Sequence, residues 1–216
     1  MDNNDEERAL QREVVRRGYD AISARYRDDS GRANPCTSES TDLYAAWIAE
    51  IAKMLPAGGR VLDLGCGAGV PASRELVERG FDVLGVDISE VQIERARRLV
   101  PGARFIQTDL VGWDAEPASF EAVISLYTLI HVPLKDQRNA LPRIRHWLRI
   151  GGLFLAVFGR DRWSAVEQYH GVPMFWDQAD MATYRSWLID AGLVTLWERF
   201  VPEGISGHVL VLARAG

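Results

Sequence analysis

The run Val61-Leu62-Asp63-Leu64-Gly65-Cys66-Gly67-Ala68-Gly69 constrains this chain more than any other segment. A short stretch of buried-strand character leads straight into a turn in which every second residue lacks a side chain, and such a turn lets a ligand approach the backbone closely. Glycine at a sharp strand-to-helix connection also has a purely structural use, so the neighbouring residues must decide between the two. A nicotinamide-dinucleotide fingerprint, G-x-G-x-x-G/A, needs small residues at 65, 67 and 70. Position 70 is Val70. Asp63 precedes the first glycine by two residues, where a carboxylate repels a pyrophosphate and attracts a cation. A second carboxylate, Asp87, closes the next strand-like run, near the spacing of ~20 residues at which an acidic group meets ribose hydroxyls. Ser89 beside it makes helix capping the competing use of that position.

From Arg60 onward, short β-rich runs alternate with helical patterns as far as the run Leu153–Phe158. That alternation predicts an α/β domain with a mostly parallel sheet and helices on both faces. Two helical patterns precede it, one over Glu6–Tyr26 (Leu10, Val14, Val15, Ile22, Tyr26) and one over Leu43–Leu55 (Trp47, Ile48, Ile51). The expected organisation is a helical extension or lid over 1–55 packed on a core over 56–216. Pro142 inside the helical pattern Leu134–Leu148 predicts a kink or a split there. Residues 159–178 show no strand pattern and exceed an ordinary connection, which predicts a substrate lid. A helix up to Gly192 follows, and the runs Leu193–Val201 and His208–Ala215 read as a terminal hairpin.

Composition narrows the partners. A net charge of -5 and a pI near 5.4 disfavour a phosphate backbone, so no nucleic acid is expected. The two cysteines, Cys36 and Cys66, lack metal-type spacing; no metal site is expected, and a reducing cytoplasm suits them. The N-terminus is acidic and polar, and no apolar run approaches the ~20 residues that span a bilayer, so neither export nor a membrane is expected. The partner expected is a small-molecule acceptor, with the protein a monomer or homodimer.

The segments VLDLGCGAG, GVDIS, FIQTDL, FEAVISLYTLIHVP and WLRIGGLFLAVFG resemble, in order and spacing, the motifs of small-molecule class I S-adenosylmethionine (SAM)-dependent methyltransferases. The resemblance runs from about Tyr19 to the C-terminus. It implies a Rossmann-like, seven-stranded, mostly parallel sheet with an antiparallel last strand and a site beyond the carboxyl ends of the strands. It also implies that Asp63 and the turn Gly65, Gly67 and Gly69 hold the methionine part of SAM, whose ammonium and sulfonium suit an acidic site. Asp87 would bind both ribose hydroxyls, Ile88 would pack on adenine, and Asp109 would accept from the adenine amino group. The backbone of Leu110 would contact the ring, the carbonyl of Leu126 would meet the ammonium, and Tyr19 and Tyr26 would close over the cofactor. S-adenosylhomocysteine (SAH) would be the product.

Methyl transfer from a sulfonium is an in-line displacement that depends chiefly on alignment, and a base is needed only where the acceptor loses a proton. His131 follows the fourth strand and is the expected general base, with packing on the next helix as its other use. The expected lid is aromatic, and Trp163, Tyr169, His170, Met174, Phe175 and Trp176, with Tyr127 and His208, form the expected acceptor site. A small, largely apolar or aromatic metabolite of specialised metabolism is the acceptor these residues suggest. The D/N-P-P-Y motif of amide and nucleobase N-methylation is absent, since Ser125-Leu126-Tyr127-Thr128 stands in its place. The choice among O-, N- and C-methylation stays open. The rival readings are a NAD-dependent oxidoreductase, opposed by Asp63 and Val70, and a SAM-binding protein or cyclase that keeps the fold without methyl transfer.

Overall fold

The computed structural model describes residues 3–32, 41–204 and 206–216; Cys36 lies outside them. The first elements are α1 (Asn3–Tyr26), α2 (Thr41–Ala52), β1 (Arg60–Leu64), α3 (Ala72–Glu78), β2 (Asp82–Asp87), α4 (Glu90–Leu99), β3 (Arg104–Gln107) and β4 (Phe120–Ser125). A 3-10 turn (Leu129–His131), α5 (Leu134–Trp147), β5 (Leu148–Gly159), β6 (Trp163–Tyr169), β7 (Val172–Gln178), α6 (Met181–Asp190), β8 (Leu193–Glu203) and β9 (Ser206–Ala215) complete the order.

Seven strands form one sheet in the order β3-β2-β1-β4-β5-β9-β8. β1 to β5 pair in parallel, and β9 is antiparallel to both of its neighbours. The period-2 alternation of each strand sorts its side chains to two layers. Leu62, Leu64, Val123, Phe154 and Phe158 pack with α5 and α6, whereas Val61, Ile124, Leu155 and Leu210 pack with α2 and α3. Strand order reverses between β1 and β4, and a doubly wound sheet opens its crevice there.

Two expectations fail for physical reasons. α5 runs unbroken from Leu134 to Trp147, so Pro142 does not split it. Pro142 and Arg138, whose carbonyl loses its partner, both lie on the exposed side where water replaces the bond, and buried Leu141 and Ile144 hold the helix to the sheet. Residues 159–178 are not without strands: β6 and β7 form a separate antiparallel hairpin. His170 and Gly171 make its two-residue turn with φ of 51° and 82°, as a type I′ connection demands. Most of β6 is exposed, so it carries no alternation of buried and polar residues to read.

α1 lies across the β7 strand and α4. Val15 and Ile22 pack on Met174 and Phe175, while the Ser23 hydroxyl donates to Gln92 and the Ser89 hydroxyl to Asp20. Leu10, expected on the buried stripe, is 67% exposed. Among the described residues no helix is long and apolar enough to cross a membrane, and no cluster of His, Cys, Asp or Glu is arranged to hold a metal.

Candidate active site

The glycine turn is tied down before any ligand arrives. The amides of Gly65 and Cys66 both donate to the carbonyl of Val86, at 2.8 and 3.0 Å, which binds the end of β1 to β2. Gly65 and Gly67 have positive φ, but they are needed for different reasons. A Cβ on Gly65 would stand 2.0 Å from the Thr128 hydroxyl, so this glycine permits close packing against the loop after β4. A Cβ on Gly67 would meet nothing nearer than Gln92 at 3.8 Å, because its missing side chain faces open space. Gly69, expected at the cofactor, instead abuts Phe105, Val100 and Ala96 and lines neither half of the cavity described next.

That space is one crevice in two halves, which share Tyr26, Gly65, Gly67, Gln92 and Leu126. The larger half is bordered by Asp87, Ile88, Asp109, Leu110, Tyr19 and Arg12. The smaller half is bordered by Asp63, Cys66, Arg27 and Tyr44. The structure thus brings together the expected cofactor residues other than Gly69. It adds Arg12, Arg27 and Gln92, which lie on α1, its C-terminal edge and α4 and carry no motif a sequence reading could find.

Burial sets the electrostatics. The Asp63 side chain is 2% exposed, accepts the Ser73 hydroxyl at 2.6 Å, and is pushed up to about 7 by burial, with Asp87 adding to the effect. Burial likewise pushes Asp87 up to about 6, against the amides of Ser89 and Gly67, each donating at 2.8 Å to a different oxygen. Each Asp87 oxygen keeps a lone pair for a hydroxyl donor. Asp109 is already engaged: the amide of Val111 and Nε of Arg12 donate to its two oxygens at 3.0 and 2.8 Å. Arg12 also reaches Asp136 at 2.6 Å, so α1 is pinned to the Asp109 end of the crevice through two carboxylates.

These residues fit SAM. The small half holds a carboxyl, Asp63, and a guanidinium, Arg27, which is the charge pattern a zwitterionic amino acid requires. Gly67 leaves the space for its backbone-proximal part, and the two raised carboxyls are groups that a bound cation would relieve.

His131 does not stand as a free base. Its Nδ1 lies 2.8 Å from the carbonyl of Phe175, which can only accept, so Nδ1 carries the proton and Nε2 accepts from the Tyr19 hydroxyl at 3.0 Å. Burial drives its pKa down to about 4, with the carbonyl of Phe175 opposing that shift. It lines the cofactor crevice as a neutral ring that fastens α1 to β7.

The expected acceptor residues divide. Met174 and Phe175 are buried under α1 and line neither the crevice nor the aromatic cleft described next. His170 sits at the hairpin turn against Tyr26 and Tyr169, with Nε2 buried and unpartnered. Trp163, Tyr169, Trp176, Gln178 and His208 line a cleft of about 540 Å³. Tyr127 borders the cofactor crevice, stacks near Tyr44 at 6.0 Å and meets the His208 ring edge-on at 5.3 Å. Its hydroxyl donates to Glu203 at 2.6 Å, a residue the sequence reading missed.

Comparison with known proteins agrees with this geometry. Residues 61–152 match the family model described as a methyltransferase domain. The 27-O-demethylrifamycin SV methyltransferase of Amycolatopsis mediterranei is 34% identical over 131 residues, which is 58% of this chain and 46% of that protein. The chain spans less than half the length of the first curated relatives it matches. The PH0226 protein of Pyrococcus horikoshii superposes with a TM-score of 0.73 at 20% identity, covering 92% of this chain and 99% of its own. The [4+2]-cyclase SpnF superposes at 0.71 with 18% identity, covering 92% and 94%. At such identities the two structures speak for the fold alone. The matched segment, residues 61–152, spans the glycine turn, Asp87, Asp109 and the loop of Tyr127, and over it the chain carries a methyltransferase domain similar to those of SAM-dependent enzymes.

Proposed function

We propose that this protein transfers a methyl group from SAM to a small, largely apolar or aromatic metabolite, at oxygen, nitrogen or carbon, in specialised metabolism. The observation that carries the reading is the charge pattern of the crevice, with buried Asp63 and Arg27 bordering one half and Asp87 the other. A dinucleotide pyrophosphate in the same place would meet the Asp63 carboxyl, which disfavours the NAD-dependent alternative. When bound, the cofactor supplies a methyl carbon made electrophilic by its sulfonium.

The chain's residues do the rest. Asp63 and the Leu126 carbonyl hold the ammonium, Arg27 the carboxylate, and Asp87 the ribose hydroxyls. Ile88 and Leu110 flank the adenine, and Asp109, fixed by Arg12, accepts from its amino group. Gly67 leaves the backbone within reach, Gly65 lets the loop of Thr128 pack beside it, and Tyr19 and Tyr26 cover the crevice from α1. His131 positions Tyr19 and does not itself accept a proton. The aromatic cleft of Trp163, Tyr169 and Trp176 holds the acceptor by stacking, with His208 on its wall and Tyr127 behind His208 on the crevice side.

The likeness in fold to a [4+2]-cyclase favours one second reading, in which the cofactor is held but not consumed. Calorimetry with SAM, SAH and NADH tests the cofactor, and micromolar binding of the first two with none of the third is expected. Methyl-labelled SAM incubated with an extract of small metabolites separates the two readings. A labelled product supports transfer, whereas tight SAM binding without any labelled product overturns it.

A further inference from the structure

The cofactor crevice and the aromatic cleft meet across two ring pairs. Tyr127 and His131 border the crevice, and His208 and Trp176 border the cleft. Within the pairs, Tyr127 lies 5.3 Å from His208, and His131 lies 4.1 Å from Trp176. His131 has both ring nitrogens engaged, so the histidine left facing the acceptor is His208.

His208 enters from β9, opposite Gly159, the last residue of β5, which places it at the carboxyl end of the parallel strands. Glu203, where β8 turns into β9, lies beside it: Oε1 is 3.0 Å from Nδ1 of His208, off the line of a hydrogen bond. Both side chains are largely buried, 15% and 19% exposed. The same Glu203 oxygen accepts the Tyr127 hydroxyl at 2.6 Å. Tyr127 is held at φ 60°, a conformation uncommon for a bulky side chain. Strain of that kind persists only where the surroundings over-determine it, and it concentrates at functional sites.

A ring nitrogen, a carboxylate beside it and a third group fixing that carboxylate make up the arrangement by which a base is oriented. Such contacts are often misaligned before substrate binds and tighten in the complex. We infer that His208 is the catalytic base of this protein, with Glu203 and Tyr127 as its positioning residues, and that the acceptor is an aromatic molecule bearing an O–H or N–H to lose. The inference rests on the methyl-transfer reading above and narrows it. The acceptor oxygen or nitrogen takes the methyl carbon as the carbon–sulfur bond breaks and its electron pair stays on sulfur. The acceptor's proton passes to Nε2 of His208, and Glu203 balances the resulting imidazolium.

The test uses two probes of similar size: 2-naphthol, which has a proton to lose, and N,N-dimethylaniline, which has none. Wild type is expected to methylate the naphthol. His208→Gln lowers that kcat by about 10²–10⁴-fold, and Glu203→Leu by about tenfold with KM unchanged. SAH binding measured by calorimetry stays within about twofold in both variants if they fold as wild type, as expected for residues outside the cofactor crevice. Independently of turnover, 15N spectra of histidine-labelled, cofactor-free protein should show His208 protonated at Nδ1 alone, a signature that Glu203→Leu removes. A proton on Nε2 in the wild type overturns the inference. So does a His208→Gln enzyme that keeps half its kcat, or a wild type that methylates dimethylaniline but not naphthol. If neither probe reacts, the spectra decide alone. A wild type that does not bind SAH removes the methyl-transfer reading and this inference with it.

Discussion

The two sides of the site are built differently. The cofactor side comes from the ends of neighbouring parallel strands: Asp63 on β1, Asp87 on β2 and Asp109 just beyond β3, each fixed by nearby backbone amides or by Ser73. The proposed acceptor side is assembled from a two-stranded hairpin, the loop after β4 and the start of the last strand, joined by side-chain contacts such as Tyr127 with Glu203 and with His208. The first is a rigid frame into which a ligand fits. The second is a set of separately hung walls, and its geometry depends on contacts between residues far apart in sequence. Substitutions should therefore act sharply and locally on the cofactor side and diffusely on the acceptor side.

The largest effect is expected at Gly67. Its positive φ of 53° and the open space ahead of it mean that Gly67→Val both strains the turn and fills the crevice. SAM binding measured by calorimetry should fall by more than about a hundredfold, that is by more than ~3 kcal/mol, in a protein that still folds. Near-normal affinity would show that the turn is not the binding site. Asp87→Ala comes next, with an expected loss of about tenfold to a hundredfold, because hydrogen bonds to a charged group contribute ~1.5–3 kcal/mol. No comparable loss of SAM affinity should follow Trp163→Ala in the cleft, and an equal loss there would dissolve the distinction between the two sides.

This contrast also explains what the sequence disclosed. The parallel sheet, the glycine turn, Asp63 and Asp87 were legible because each depends on residues within a few positions, on strand alternation or on a motif spacing of ~20. Arg12 and Glu203 were not, because each earns its place by a contact 97 and 76 residues away. Met174 and Phe175 read as acceptor residues because they lie among aromatics, yet α1 covers them, and nothing local in the sequence says which element will do so. The β6–β7 hairpin had one local signal, the His170-Gly171 turn, obscured by a strand that buries little. The partners of His131, Tyr19 and the Phe175 carbonyl, lie 112 and 44 residues away, so its engagement had no local signal.

A pH titration sharpens the account of the cofactor side. Asp63 and Asp87 have folded-state values raised to about 7 and about 6, above the 3.8 of an exposed carboxyl. Between pH 4 and 7 the folded, cofactor-free protein therefore holds protons that the unfolded chain has lost. Its stability, highest below that window, falls as pH rises through it. SAM binding runs the other way, since its cationic groups favour the ionised carboxyls. Affinity should weaken as pH drops below 7, by up to about tenfold per pH unit for each group that protonates. Asp63→Asn separates the two effects: the variant should melt higher than wild type at pH 8 without cofactor and bind SAM more weakly. A lower melting temperature at pH 8 would mean that the Asp63 carboxylate stabilises the fold and does not strain it.

The smallest expected effect lies where the two sides touch. Tyr19 belongs to α1, borders the cofactor crevice, and donates its hydroxyl to Nε2 of His131, whose Nδ1 holds the β7 strand through the Phe175 carbonyl. Tyr19→Phe keeps the ring and its edge contacts with Tyr26 and His131 and removes that single donor. A neutral hydrogen bond contributes about 0.5–1.5 kcal/mol net, and an unsatisfied buried nitrogen adds a penalty of similar size. SAM should then dissociate a few-fold faster, as read by stopped-flow, because α1 is held less firmly over the crevice. The neutral state of His131 makes a second demand on the same pair. With its pKa near 4, the ring does not titrate between pH 6 and 9, so His131→Asn should change the level of the kcat profile there and not its shape. A limb of the profile that disappears in His131→Asn would return the proton-accepting role to this residue. The line between cofactor frame and acceptor walls would then have to be redrawn through His131.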